Sequence, residues 1–312
     1  MISLRYHIVS IAAVFLALAV GVVLGSTSAS ERLLSNVGGE RDSLSKQTDD
    51  LRGERAALNT KLRASERFGR AVGPLAVRGQ LDRRSVVLLT TWDASPRDRD
   101  ATRALLTSAG ATVTGELGLT ESLADPARAD QLRQVITRLL PPGVQLPEDT
   151  GPGTMAGGLL GPLTMLDPRT GQPQVSPGER AAALGALTHS GFVDGAADFP
   201  PAQLAVIVTG GEMRGDESGD RAATLARLAT QVDRSGGGAV LAGASGSAGG
   251  HGPVGTIRAD TAMPVQLSTV DNVDSPAGRV ATVLALREQE NSQAGHYGTA
   301  ASAQGPAPDA RG

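Results

Sequence analysis

Between Ile8 and Leu24 the chain carries no charge and one polar residue, Ser10: IVSIAAVFLALAVGVVL. A helix that is apolar on every side has no face to offer water, so it belongs in lipid or deep inside a protein. Seventeen residues lie at the short end of the roughly 17–25 that span a bilayer. A cleaved signal peptide is the competing reading, and Ser28-Ala29-Ser30 supplies small residues for cleavage. The run, however, exceeds the ~7–15 residues of a signal core, and only Arg5 precedes it. We read residues 8–25 as a retained membrane anchor built on Ile8, Val14, Phe15, Leu16, Leu18, Val22 and Leu24. After Arg5 the next charge is Glu31. That flank places residues 1–7 in the cytoplasm and the bulk of the chain outside it. His7 reads as an interfacial polar residue.

Residues 31–70 change character. Sixteen of these forty are charged. Val37, Leu44, Leu51 and Leu58 recur every seven residues, and Leu34, Arg41, Thr48, Arg55 and Leu62 occupy the second seam position. A charged helix with so narrow an apolar stripe predicts a coiled coil, and a homo-oligomer through it. The seam rests on Leu34, Val37, Leu44, Leu51, Leu58 and Leu62. A solvated stalk, or a helix folded back on the chain's own domain, are the alternatives. Gly38, Gly39 and Gly53 each cost about 1 kcal/mol against alanine in a helix. Gly69, Gly73 and Pro74 are expected to end it.

From residue 75 to 290 the chain reads as one α/β domain with a mostly parallel sheet in a three-layer arrangement. Ser85–Thr90, Leu204–Thr209 and Gly238–Ala242 are continuous apolar runs, as strands buried on both faces require. Shorter strands are expected near Ala111–Leu117 and Val265–Val270. Helices are expected from the Ser95-Pro96 cap to Ser108, from Asp125-Pro126 to Leu140, over Pro177–His189, over Asp220–Asp233, and from Asp274-Ser275-Pro276 to Glu290. Asp274 is the expected N-cap of the last helix. Residues 141–178 hold eight prolines and eight glycines and read as an internal loop or hinge, interrupted by a short helix in Met155–Leu166, or as a linker between two domains. Residues 291–312 are Gly, Ala, Ser, Gln and Pro-rich and read as a disordered tail.

Composition excludes several functions. There is no cysteine, hence no disulfide, thiolate nucleophile or iron–sulfur cluster. Seven scattered aromatics, Tyr6, Phe15, Phe68, Trp92, Phe192, Phe199 and Tyr297, supply neither a base-stacking platform nor the two girdles of a transmembrane barrel. A net charge of -3 argues against nucleic acid as a partner.

No catalytic residue is nominated, and the chain reads as a non-enzyme. Thr209-Gly210-Gly211 and Gly236-Gly237-Gly238 lack GxGxxG spacing and read as tight turns, although a ligand place at the end of Leu204–Thr209 is topologically allowed. Ser245 lies in a Gly/Ser loop without a GxSxG elbow. Asp271 and Asp274 resemble a carboxylate pair, with capping as the plainer role for Asp274. Glu212, Asp216, Glu217 and Asp220 match no calcium loop. Met1, Met155, Met165, Met213 and Met263 form no MxxM or MxM pair, and His189, His251 and His296 stand apart. No copper site built by one chain is visible, and no cofactor is assigned; a site shared in an oligomer stays open.

Several segments resemble one family. They are Met1-Ile-Ser-Leu-Arg5, Ala13-Val-Phe-Leu-Ala-Leu-Ala19 and Gly21-Val-Val-Leu-Gly25 at the start. Within the domain they are Val206–Gly211, Ala239–Gly243, Ser268–Asp271, Pro276–Arg279 and Val283–Leu286. At the end Gln293–Thr299 closes on Tyr297-Gly298-Thr299. Together they are similar to the actinobacterial copper transporter MctB family. The resemblance implies an envelope protein of the mycobacterial type with a channel-forming role in copper efflux, placed at the outer membrane, with copper as transported ion. It carries no catalytic or copper-ligand motif. Related members imply the alternative, an anchored coiled-coil scaffold that binds an envelope or cell-division partner. The apolar, helix-separated strands predict no barrel, and a single apolar helix favours the inner membrane on physical grounds.

Overall fold

A computed structural model describes residues 4–141, 143–149, 151–195, 198–260 and 266–309, with backbone alone at 4–5 and 26–43 of the first helix. That helix, α1, runs unbroken from Leu4 to Ala76. Gly69, Gly73 and Pro74 do not end it as the sequence predicts. Pro74 forfeits one backbone bond in the last turn, where packing compensates. A Cβ on Gly69 would stand 2.9 Å from Pro276, and one on Gly73 would stand 3.3 Å from Val280. The glycines are therefore sites of close approach.

The chain divides into two compact units, Met1–Ser65 and Glu66–Gly312. The second begins before residue 75 because the last turns of α1 pack into it. It is not divided within 141–178.

In the second unit β1 (Ser85–Thr91), α2 (Pro96–Ser108) and β2 (Thr112–Leu119) form the first crossover. The short α3 (Glu121–Ala124), a 3-10 turn (Pro126–Arg128), α4 (Ala129–Leu139), α5 (Pro152–Thr164) and α6 (Pro177–His189) lead to β3 (Val193–Gly195). Then come β4 (Leu204–Thr209), α7 (Ser218–Ser235), β5 (Ala239–Gly243), α8 (Pro253–Ala259), β6 (Ser268–Val270), α9 (Pro276–Gln289) and β7 (His296–Tyr297). The sheet order is β3-β2-β1-β4-β5-β6-β7. Every pair is parallel except β2 with β3.

The strand pleat sends alternate side chains to opposite faces. Val87, Leu89, Ala205, Ile207, Ala239 and Leu241 enter one buried cluster with residues of α4, α5 and α7. Val86, Leu88, Val206, Val208, Val240 and Ala242 enter another with Leu105 and Leu106 of α2 and Ala281, Val283 and Leu286 of α9. A run of consecutive apolar residues is what burial on both faces demands.

Four expectations need correction. The short helix expected in Met155–Leu166 is present as α5, but the segment 141–178 is not a hinge around it, since α5 is almost entirely buried. A Cβ on Gly157 would stand 2.5 Å from the carbonyl oxygen of Leu228, so small residues let α5 lie directly on α7. The end of the chain is not disordered through 309. β7 pairs with β6 in register Val270↔Tyr297, the Tyr297 ring is buried, and its hydroxyl donates to Glu288. One tyrosine gives an otherwise featureless segment something to bury. The cap of α9 is Ser275, whose Oγ accepts from the Gly278 N–H at 2.9 Å, and not Asp274. Finally, β6 begins at Ser268, and Val265 lies outside the described residues.

Candidate functional site

The anchor residues Ile8, Val14, Phe15, Leu16, Leu18, Val22 and Leu24 share the helical stretch Tyr6–Gly25, the one helix among the described residues long and apolar enough to cross a membrane. All seven side chains are exposed by 60–71 %. Soluble surfaces rarely leave so many large apolar groups together in water. Of the seam residues, Leu44, Leu51, Leu58 and Leu62 lie uncovered on α1. Leu34 and Val37 fall where only the backbone is described.

The carboxyl end of β4, one of the places where open α/β sheets bind ligands, is packed by the chain itself. A Cβ on Gly210 would meet Asp93 Oδ2 at 2.5 Å, and one on Gly211 would meet the Ser245 carbonyl oxygen at 2.7 Å. The turn at the end of β4 is thus tightly packed against its neighbours. Asp271 and Asp274 do not form a pair. Asp274 accepts from the backbone N–H and hydroxyl of Ser245, at 3.1 and 3.0 Å. Ser245 is a loop tie without a histidine partner among the described residues.

Asp98 and Arg279 form a buried ion pair at 3.2 Å between α2 and α9. Burial raises the Asp98 carboxyl above its ordinary value against the pull of Arg279. Burial likewise lowers the Arg279 guanidinium, against the opposing pull of Asp98. Desolvation outweighs attraction on both sides, as is common for buried pairs.

Among the ion pairs of the described residues the most enclosed is Arg258 with Asp271, 2.7 Å apart and each side chain 2 % exposed. Arg258 also donates to Thr269 Oγ1 at 3.0 Å and to the Tyr297 carbonyl oxygen at 2.8 Å. Asp271 accepts from the Thr299 N–H at 2.8 Å. This network fastens α8, β6 and the end of the chain together. His296 joins it through Nδ1, 2.9 Å from Thr269 Oγ1. Burial first, and the nearby Arg258 charge second, push its imidazole below the ordinary range. The ring borders a cavity of about 380 Å³ between α7, α8 and the start of β6, which also receives Arg227, Gln231, Arg234 and Gln266.

Neutral imidazole is the metal-binding form, yet His296 stands without companions. No group of three or more His, Cys, Asp or Glu positioned for a metal occurs among the described residues. Met155, Met165 and Met213 are buried in the apolar cluster around α5 and α7. The Met213 N–H donates to the His251 carbonyl oxygen at 3.1 Å, which joins those loops by backbone alone. The acidic loop disperses: Arg221 pairs with Glu121 and Glu217, and Asp220 lies in the first turn of α7.

The Arg258 network escaped sequence reading. A lone Arg and Asp thirteen positions apart carry no local signature, and the strand between them, Ser268–Val270, is too short and too polar to advertise their burial.

The family model described as "Copper transport outer membrane protein, MctB" matches residues 1–308. A protein named Copper transporter MctB from Mycobacterium tuberculosis (strain ATCC 25618 / H37Rv) is 39 % identical over 308 residues, 96 % of each chain. Its namesake from Mycobacterium leprae (strain TN) is 37 % identical over 306 residues, again 96 % of each. The match runs from the apolar helix through the strand that ends the sheet, and on that ground the chain belongs to the MctB family.

Proposed function

We propose that the protein is a membrane-anchored envelope protein that works in copper efflux and copper homeostasis. The observation that carries this reading is the end-to-end match to relatives named copper transporters, apolar helix included. Copper is the cargo, and no resident cofactor is assigned. Residues 8–25 anchor the chain with residues 1–7 in the cytoplasm, as the lone Arg5 flank supports. The α/β unit stands outside the cytoplasm, its sheet flanked by helices in three layers; the two buried clusters support that arrangement. Residues 31–70 pair with a second copy as a coiled coil, a reading supported by the uncovered Leu44, Leu51, Leu58 and Leu62.

The test is deletion of the gene from its own organism and complementation with the full chain. Cell-associated copper and copper sensitivity are expected to rise on deletion and return on complementation. Unchanged copper content and sensitivity would refute the role.

A further inference from the structure

Resting on the self-association above, we propose that two copies pair in parallel and in register over residues 44–62, with Arg55 of each chain answered by Glu54 of the other. Leu44, Leu51 and Leu58 lie seven residues apart and are exposed by 63–65 %. Leu62 extends the same stripe. Beyond Ser65 the next a position is Gly69, with Gly73 one turn on at position e, and there α9 and α2 pack against the helix through Pro276, Val280 and Leu105. Within the second unit, packing accounts for the end of the stripe, and the leucines before Ser65 carry the pairing proposed here.

The seam also chooses the partner. With the leucines at heptad position d, position a holds Thr48, Arg55 and Leu62. Leucine at d with polar residues at a fixes register and strand number. Thr48 donates its hydroxyl to the Leu44 carbonyl at 2.7 Å, so it enters a seam without an orphaned polar group. Arg55 has no intrachain ion pair among the described residues. In a parallel pair, an a side chain packs beside the g residue that precedes the facing a. That g residue is Glu54. Two symmetric Arg–Glu pairs result, each placing a cation of one copy against an anion of the other. An antiparallel pair loses this match. Two chains anchored by the same N-terminal helix also leave the membrane from the same end, which favours the parallel choice.

The absence of cysteine makes the test clean. In membranes carrying the full-length chain, Leu58→Cys is expected to give a disulfide-linked dimer on mild oxidation. Thr60→Cys, on the outer face, is expected to give none. Differently tagged Leu44→Cys and Leu62→Cys chains, co-expressed, are expected to give no crossed disulfide, since eighteen residues of helix hold those positions about 27 Å apart in a parallel pair. Glu54→Arg is expected to lower the dimer yield at least tenfold, and the double variant Glu54→Arg/Arg55→Glu to restore it. Trp92 fluorescence verifies that the α/β unit of each variant is folded. Crossed disulfides between the Leu44→Cys and Leu62→Cys chains, or a Glu54→Arg chain that pairs as well as the parent, overturn the parallel register while self-association stands. No disulfide at position 58 together with a monomeric parent overturns both.

Discussion

Asp233 supplies a sharp test of how burial governs this fold. The residue lies in the last turn of α7, 8 % exposed. Its Oδ1 accepts the Ala239 N–H at 2.7 Å and so sets the start of β5. Burial pushes the carboxyl from 3.8 up to about 7, while the Ala239 hydrogen bond and the Arg234 charge pull the other way. The folded state thus holds the proton more tightly than the unfolded chain. Its contribution to stability is fully present below about pH 4 and is lost as pH rises through about 7. A shift of about 3 units at 1.36 kcal/mol each gives a penalty on the order of 4 kcal/mol at pH 8. Asp233→Asn keeps the acceptor oxygen and abolishes the ionisation. Urea unfolding of the full chain in mild detergent, followed by the single tryptophan, Trp92, measures the effect. The variant is expected to gain up to that amount at pH 8 and little or nothing at pH 4. Parallel stability–pH curves for parent and variant would refute the assignment of the burial penalty to this carboxyl.

His296 carries the opposite sign. Its imidazole sits below the ordinary 6.5 in the fold, so its contribution is present above that value and is lost as pH falls through the folded value; His296→Gln should flatten the acid limb of the same titration. Arg258→Met leaves the Asp271 charge sealed without its partner, a change that costs about 3–5 kcal/mol. Limited proteolysis is expected to cut residues 291–309 of that variant first, and unchanged resistance would show that the network does not hold the chain end. Gly157→Leu forces a side chain into the Leu228 backbone and should cost at least about 1–3 kcal/mol, read as a lower melting temperature. An unaltered melting temperature would mean that α5 does not rest on α7 as described.

The parts of the fold that were legible share one property: their signal is local. Ser85–Thr91, Leu204–Thr209 and Ala239–Gly243 are buried on both faces, so each has an unbroken apolar interior. The helices α2, α6 and α9 each open on a serine followed by proline, and their boundaries follow from that chemistry. What escaped is what only a neighbour explains. A helix within Met155–Leu166 is legible, but the role of its glycines as a close contact shows only once α7 is placed against them. The three residues of β3 pair with β2 after a connection of four helices. Asp98 and Arg279 are 181 positions apart. The candidate site divides the same way: the anchor and the seam leucines are periodic and stand out, whereas Arg258, Asp271 and His296 acquire meaning only once β6 and β7 lie side by side.

The sheet also constrains how copper would pass a membrane with this protein's help. A strand that spans lipid must belong to a closed barrel, because an open edge leaves backbone groups unsatisfied in hydrocarbon. Here the sheet runs from β3 to β7 without closing one on the other, the outer side of β7 is bridged by Gly305, and all neighbours but one pair are parallel. Both faces of the central strands are buried under helices. Barrel strands instead alternate lipid-facing and lumen-facing residues in antiparallel order. The α/β unit is therefore built for water on its outside. That leaves α1 as the lipid-compatible element among the described residues, and its apolar stretch offers only Ser10 as a polar group between Ile8 and Leu24. A helix of that kind holds a protein at a membrane but lines no wet path, even as a pair.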